Sequence, residues 1–168
     1  MTYTSVELLT EFECRYKFKA GIYNVQLKTY EDVMIFLDTG CYNTMIPKHI
    51  AEQAGHPLGF CREYRIGGHT IKAEAFSISK IMIGDFILER VLAFAGNYPG
   101  EYENEIILGT NVINNWEMVI NKESHIFKFR ENPPKNIANK KHIYQNYFDP
   151  AGNYQCVQDA EQITAMNL

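Results

Sequence analysis

The stretch Met34-Ile35-Phe36-Leu37-Asp38-Thr39-Gly40-Cys41 carries an apolar strand pattern straight into a carboxylate, a hydroxyl and a glycine. A carboxylate at a strand's end, on a turn that a glycine keeps open, is placed for proton transfer, with Asp38 as acid or base. Asp-Thr-Gly arises by chance in about one chain in thirty of this length, so its neighbours must carry the argument. The other chemistry-bearing residues form weaker patterns. His49, His56 and His69 with Cys61 have neither Cys-x-x-Cys nor His-Glu-x-x-His spacing, which argues against a metal site. Cys14, Cys41, Cys61 and Cys156 are scattered through a chain large enough to fold without disulfides, and reduced thiols are expected. Cys41 has no visible histidine partner and reads as a packing thiol rather than a nucleophile.

Strands must position the acid. In residues 11–28, Phe12, Cys14, Tyr16 and Phe18 alternate with polar residues, and Ile22, Tyr23, Val25 and Leu27 resume after Ala20-Gly21, which predicts a hairpin turning at that pair. Tyr30-Glu31-Asp32 reads as a second turn, sending residues 33–37 back to the core and leaving Asp38 on a loop. A short helix is predicted over residues 48–55, with Pro47 at its start and Gly55 at its end. Tyr64-Arg65-Ile66 and residues 70–76 flank Gly67-Gly68-His69 as a hairpin, and residues 76–83 and 86–94 flank Gly84-Asp85 as another. Residues 96–105 form a polar, turn-rich loop whose acidic groups read as solvated surface. Ile106-Ile107-Leu108-Gly109, a short helix over residues 110–116, and strands at 117–120 and 126–129 follow. Asn132-Pro133-Pro134 breaks the pattern. Beyond it, residues 144–148 and 153–157 read as a small hairpin around Asp149-Pro150-Ala151-Gly152, with the last residues frayed or weakly helical.

An apolar strand ending in Asp-Thr-Gly, followed in order by a glycine hairpin, an apolar-apolar-Gly segment, a short helix and a final strand pair, resembles the retropepsin-like aspartic proteases. These are the retroviral proteases and their cellular and bacterial relatives, and the resemblance spans roughly residues 16–130. It implies an all-β fold, a closed acid-protease barrel with one or two short helices, active as a symmetric dimer. It implies a protease domain over residues 1–130, with residues 131–168 as a C-terminal extension of no assigned role. The implied activity is that of an aspartic endopeptidase acting on polypeptides, with no cofactor and no metal. Such hydrolysis needs two carboxylates sharing one proton, and this chain has one Asp-Thr-Gly, so a second copy must supply the other Asp38. By the same resemblance the Thr39 hydroxyl reaches across the dimer, and Gly40 lets a backbone N–H approach the carboxylate. Gly67 and Gly68 would form the tip of a flap over substrate, and Ile107, Leu108 and Gly109 would support the acid from behind. The competing reading is a non-catalytic dimerisation or peptide-binding module on the same barrel, against which the intact Asp-Thr-Gly argues.

Length and composition narrow the rest. A chain of 168 residues points to one domain able to bury its own core. A net charge of −4 gives no electrostatic footprint for nucleic acid. No apolar run approaches the ~20 residues that span a bilayer, and the first residues lack a basic start followed by an apolar stretch, so no membrane partner and a cytoplasmic location are expected.

Overall fold

Apolar residues alternating with polar ones along most of the chain give strands, and glycine pairs give the turns between them. A computed structural model describes residues 2–9, 15–133, 143–149 and 151–156. In chain order the elements are β1 (Thr4–Glu7), β2 (Tyr16–Asn24), β3 (Thr29–Leu37), β4 (Met45–Pro47), α1 (Lys48–Ala54), β5 (Gly55–Ile66), β6 (His69–Ile83) and β7 (Phe86–Gly96). A 3₁₀ turn (Gly100–Glu103), β8 (Glu105–Leu108), α2 (Thr110–Ile113), β9 (Trp116–Asn121), β10 (Ile126–Glu131), β11 (Asn146–Phe148) and β12 (Tyr154–Cys156) follow.

Strands β2-β3-β8-β4-β7-β6 are neighbours in that order, and β2 pairs back onto β6 at Gly21↔Met82 and Ile22↔Ile81, which closes the ring. Strand β5 continues the sheet beyond β6. Two pairings inside the ring are parallel, β3 with β8 and β4 with β7. A separate sheet, β1-β10-β9, packs its aromatic face on the barrel. There Trp116 stacks on Phe129 at 4.3 Å and Phe127 on Phe18 at 5.6 Å. The expected all-β closed barrel with two short helices is therefore what the chain forms. Among the described residues no helix is long and apolar enough to cross a membrane.

The alternation of β3 decides where the acid goes. Val33, Ile35 and Leu37 are buried in the large core between barrel and sheet. Phe36 points the other way, into a second cluster built on Met45, Ala75, Phe94, Tyr98, Ile107 and Tyr147. Side chains two apart share a face, so Asp38 leaves the strand on the side of that second cluster.

Both glycine hairpins form as expected. Gly67 and Gly68 have φ of +55° and +81°, the left-handed pair that a tight two-residue turn between β5 and β6 demands. Gly84 turns β6 into β7. The predicted helix after Pro47 forms over Lys48–Ala54 and stops at Gly55, which is extended. Glycine is needed there for space, because a Cβ would overlap the Ser77 carbonyl oxygen.

The first hairpin is not where the pattern put it. Strand β2 runs unbroken through Ala20-Gly21, and Tyr30, Glu31 and Asp32 lie within β3, opposite Tyr23, Ile22 and Gly21. Gly21 marks the closure of the barrel: Met82 and Tyr30 both come to 3.4 Å from where its Cβ would stand. The turn falls at residues 25–28, where the Asn24 side chain accepts the N–H groups of Gln26 (3.0 Å) and Leu27 (3.1 Å), and Lys28 takes φ +56°. Residues 10–14, which the predicted alternation included, and residues 157–168 lie outside the described residues.

The acidic loop is also more than surface. Lys17, which is fully buried, bonds Glu105 Oε1 at 2.6 Å, with Glu101 at 3.8 Å, and Glu101 pairs with Arg15. A buried ammonium demands counter-charge, so the loop's carboxylates close over it. Tyr98 in the same loop is buried and donates to the Phe94 carbonyl at 2.6 Å.

Candidate active site

Asp38 follows Leu37, the last residue of β3, and its own N–H donates to the Leu108 carbonyl at 3.1 Å. Its carboxylate is half-buried, and Oδ1 accepts the Gly40 N–H at 2.9 Å. That hydrogen bond fixes the carboxylate on the turn and leaves Oδ2 clear of it. A Cβ on Gly40 would stand 3.3 Å from Oδ1, crowding the acceptor. The Cys41 N–H donates to the Asp38 carbonyl (3.2 Å), closing the turn, and Thr39 is exposed at its tip.

Behind this turn lies the second motif. Ile107 and Leu108 pair in parallel with Phe36 and Leu37. Gly109 has ordinary φ, −89°, yet tolerates no side chain: a Cβ there would stand 2.6 Å from the Asn43 carbonyl carbon and oxygen and 2.8 Å from the Cys41 carbonyl oxygen. Backbone on backbone at that range is the reason glycine ends the apolar-apolar-Gly segment. Gly67 and Gly68 stand apart from Asp38 along the chain, at the hairpin tip, with open space around both.

Two residues not singled out from sequence hold the loop in place. Asn111, fully buried in α2, accepts at Oδ1 from the Thr44 N–H (2.8 Å) and the Thr44 hydroxyl (2.8 Å), and donates from Nδ2 to the Leu92 carbonyl (3.1 Å). The Thr44 hydroxyl in turn accepts the Gly109 N–H (3.2 Å). The Thr110 and Asn111 N–H groups donate to the carbonyls of Cys41 (2.8 Å) and Tyr42 (3.1 Å). The start of α2 thus satisfies its free donors with the Asp38 loop instead of a capping side chain. A clue was present: an Asn two residues past Gly109, inside a short apolar helix, has to find partners if buried.

Cys41 sits as a packing thiol. Its thiol donates to the Asn43 carbonyl (3.0 Å), and burial first, then the Asp38 charge, push it up to about 11. Roughly one such thiol in a thousand is ionised at pH 8. Iodoacetamide at pH 8 is therefore expected to label exposed Cys61 well before Cys41, read by mass spectrometry of digested protein. Equal labelling rates would contradict the buried setting. Among the described residues no three His, Cys, Asp or Glu side chains converge as a metal site.

Residues 143–149 pack on both clusters, Ile143 and Tyr144 on the large core and Tyr147 on the second. The Tyr144 carbonyl accepts the Leu92 N–H (2.9 Å), and the Tyr144 hydroxyl accepts from the Trp116 ring N–H (2.9 Å). β11 and β12 form the predicted small hairpin.

A protein-family model described as aspartyl protease matches residues 24–112, a segment that contains both Asp38 and Gly109. Among solved structures, the crystal structure of a retropepsin-like aspartic protease from Rickettsia conorii is similar over 76% of this chain and 90% of that one, at 12% identity and a TM-score of 0.49. No curated protein matches.

Proposed function

Since the chain belongs to the aspartyl protease family, we propose that it is an endopeptidase in which two Asp38 carboxylates, one from each subunit of a homodimer, activate a water for attack on a peptide bond. The observation that carries this reading is the Asp38 turn: a half-buried carboxylate held by the Gly40 N–H, on a loop backed by Gly109 and locked by Asn111. One such turn supplies one acid, and the chain has one Asp-Thr-Gly. Two carboxylates brought close cannot both ionise, so the pair shares a proton. The ionised partner takes a proton from water while the protonated one polarises the scissile carbonyl.

The other residues follow from this arrangement. Thr39, exposed at the tip of the turn, bonds the partner's loop in this reading and holds the two acids at a fixed spacing. Gly67 and Gly68, at the free tip of β5 and β6, close as a flap over bound polypeptide and exclude bulk water. Ile107, Leu108 and Gly109 hold the first loop against displacement. The protease domain occupies residues 1–130, and the partners are a polypeptide and a second copy, with no nucleic acid, membrane or cofactor.

Turnover of a mixed peptide library, with and without a pepstatin-type transition-state mimic, tests the proposal. Cleavage is expected, blocked by the mimic, with activity per chain rising with protein concentration across the range in which dimers form. A folded dimer that cleaves nothing and does not bind the mimic would leave the binding module as the surviving reading.

A further inference from the structure

The face between β5 and the Asp38 loop already holds an extended piece of polypeptide. In β11 the Phe148 N–H donates to Asn43 Oδ1 (2.9 Å), and Asn43 Nδ2 donates to the Phe148 carbonyl (3.2 Å). One side-chain amide thus grips both main-chain groups of a single extended residue, without reading its side chain. A peptide added to a strand edge is held in the same way, by main-chain bonds, while pockets read its side chains. Asn43 is buried and fixed in turn, since Nδ2 also donates to the Tyr64 hydroxyl on β5 (3.1 Å).

The neighbouring side chains supply the pockets. Tyr147, 8% exposed, lies 5.3 Å from the Phe60 ring and 6.0 Å from Phe94, with the Arg62 guanidinium 5.4 Å from its ring centre. Phe148 points to the other side and packs on Tyr42 at 5.2 Å. Tyr42 is 67% exposed even so, the most exposed large apolar side chain described, and it sits on the same loop as Asp38. An aromatic ring left that open beside an acid turn, next to a main-chain clamp, is the pattern of a surface built to receive chain.

We propose that Asn43, Tyr42 and the Phe60-Arg62-Phe94 pocket form a binding subsite for two consecutive aromatic residues of an extended polypeptide, and that the chain fills this subsite in cis with Tyr147 and Phe148. The proposal rests on the reading of the Asp38 loop as a peptide-cleaving site for its consequence, which is that the C-terminal segment competes with substrate. The binding itself needs no turnover. A protein whose own segment occupies the subsite most of the time shows an outside peptide a weakened affinity, reduced by the fraction of time the subsite is open.

The experiment uses the full chain carrying Asp38→Asn, so that no peptide is consumed. The probe is the capped peptide Gln-Asn-Tyr-Phe-Asp, with fluorescence polarisation of a labelled copy as the readout. Adding Tyr147→Ala and Phe148→Ala together is expected to tighten binding by about tenfold or more. A control peptide with both aromatic residues replaced by Ala should bind neither protein. If the double variant melts cooperatively and binds the peptide no better than its parent, the proposal is overturned. If the double variant does not fold, amide exchange of the parent decides. Excess peptide should speed exchange at residues 146–149 and leave residues 116–131 unchanged, and an unchanged rate at 146–149 overturns the proposal. Loss of cleavage in the wild-type chain alongside intact peptide binding would count against the protease reading alone.

Discussion

Asp38→Asn is expected to leave a folded, dimer-forming chain that no longer hydrolyses peptides. The substitution keeps the shape of the turn, because an Asn Oδ1 accepts the Gly40 N–H as the carboxylate does at 2.9 Å. It removes the one property the chemistry requires, a group that takes up and releases a proton. In the proposed two-fold site the change removes both acids at once. A loss of roughly 10³-fold to 10⁴-fold in kcat/KM is expected, with the melting temperature near that of the parent. Progress curves on a cleavable peptide and a thermal melt of the same sample check both halves. Titrating the variant into wild-type protein should also lower activity per wild-type chain, because mixed dimers carry one acid. Hydrolysis at the wild-type rate would remove Asp38 from the mechanism.

The second large effect concerns a residue that touches no reacting atom. Asn111→Ala leaves the Thr44 N–H, the Thr44 hydroxyl and the Leu92 carbonyl without the partner they share, all in the buried interior. A buried polar group left unsatisfied costs about 1–3 kcal/mol, so a total of roughly 3–5 kcal/mol is expected. That is a large part of the stability of a domain this size. The neighbouring exposed Asn114 gives the control: Asn114→Ala should stay within about 0.5 kcal/mol. Denaturant midpoints of the three proteins measure both. A small effect at Asn111 would mean that water or a shifted Thr44 hydroxyl replaces the amide. The same change should lower kcat in whatever fraction remains folded, since Thr44 and Gly109 are joined through that network to the turn that carries Asp38.

Much of this was legible in the residues because local rules and the global fold agree. The apolar run of residues 33–37 ends at a polar Asp-Thr-Gly, so the strand's end could be placed, whereas the side on which Asp38 emerges shows only in the alternating burial of the folded strand. Gly67-Gly68 and Gly84-Asp85 name their own turns. Gly109 could be paired with the Asp38 segment from motif order, although the cause, a backbone contact too close for any Cβ, belongs to the folded state. What was not legible has a common origin in long-range pairing. Asn43, Asn111 and Lys17 look like surface residues, and each is buried because a partner far along the chain satisfies it. Gly21 looked like a turn for the same reason: a glycine at a strand crossing and a glycine at a hairpin tip are the same letter. The true turn rests on the Asn24 side chain, through bonds that only the folded turn makes. The packing of residues 143–149 against the Asp38 loop had no local sign at all.

The lock between Thr44 and Asn111 joins residues 67 positions apart, and β3 meets β8 across a similar interval in parallel register. Closing such a loop costs entropy before any contact repays it, and chains dominated by distant pairings fold slowly. During synthesis Asp38 leaves the ribosome before β8 and α2, the backbone that fixes it, have been made. The carboxylate therefore exists before the setting that holds it does. The fixed turn is deferred by topology until β8 and α2 have docked.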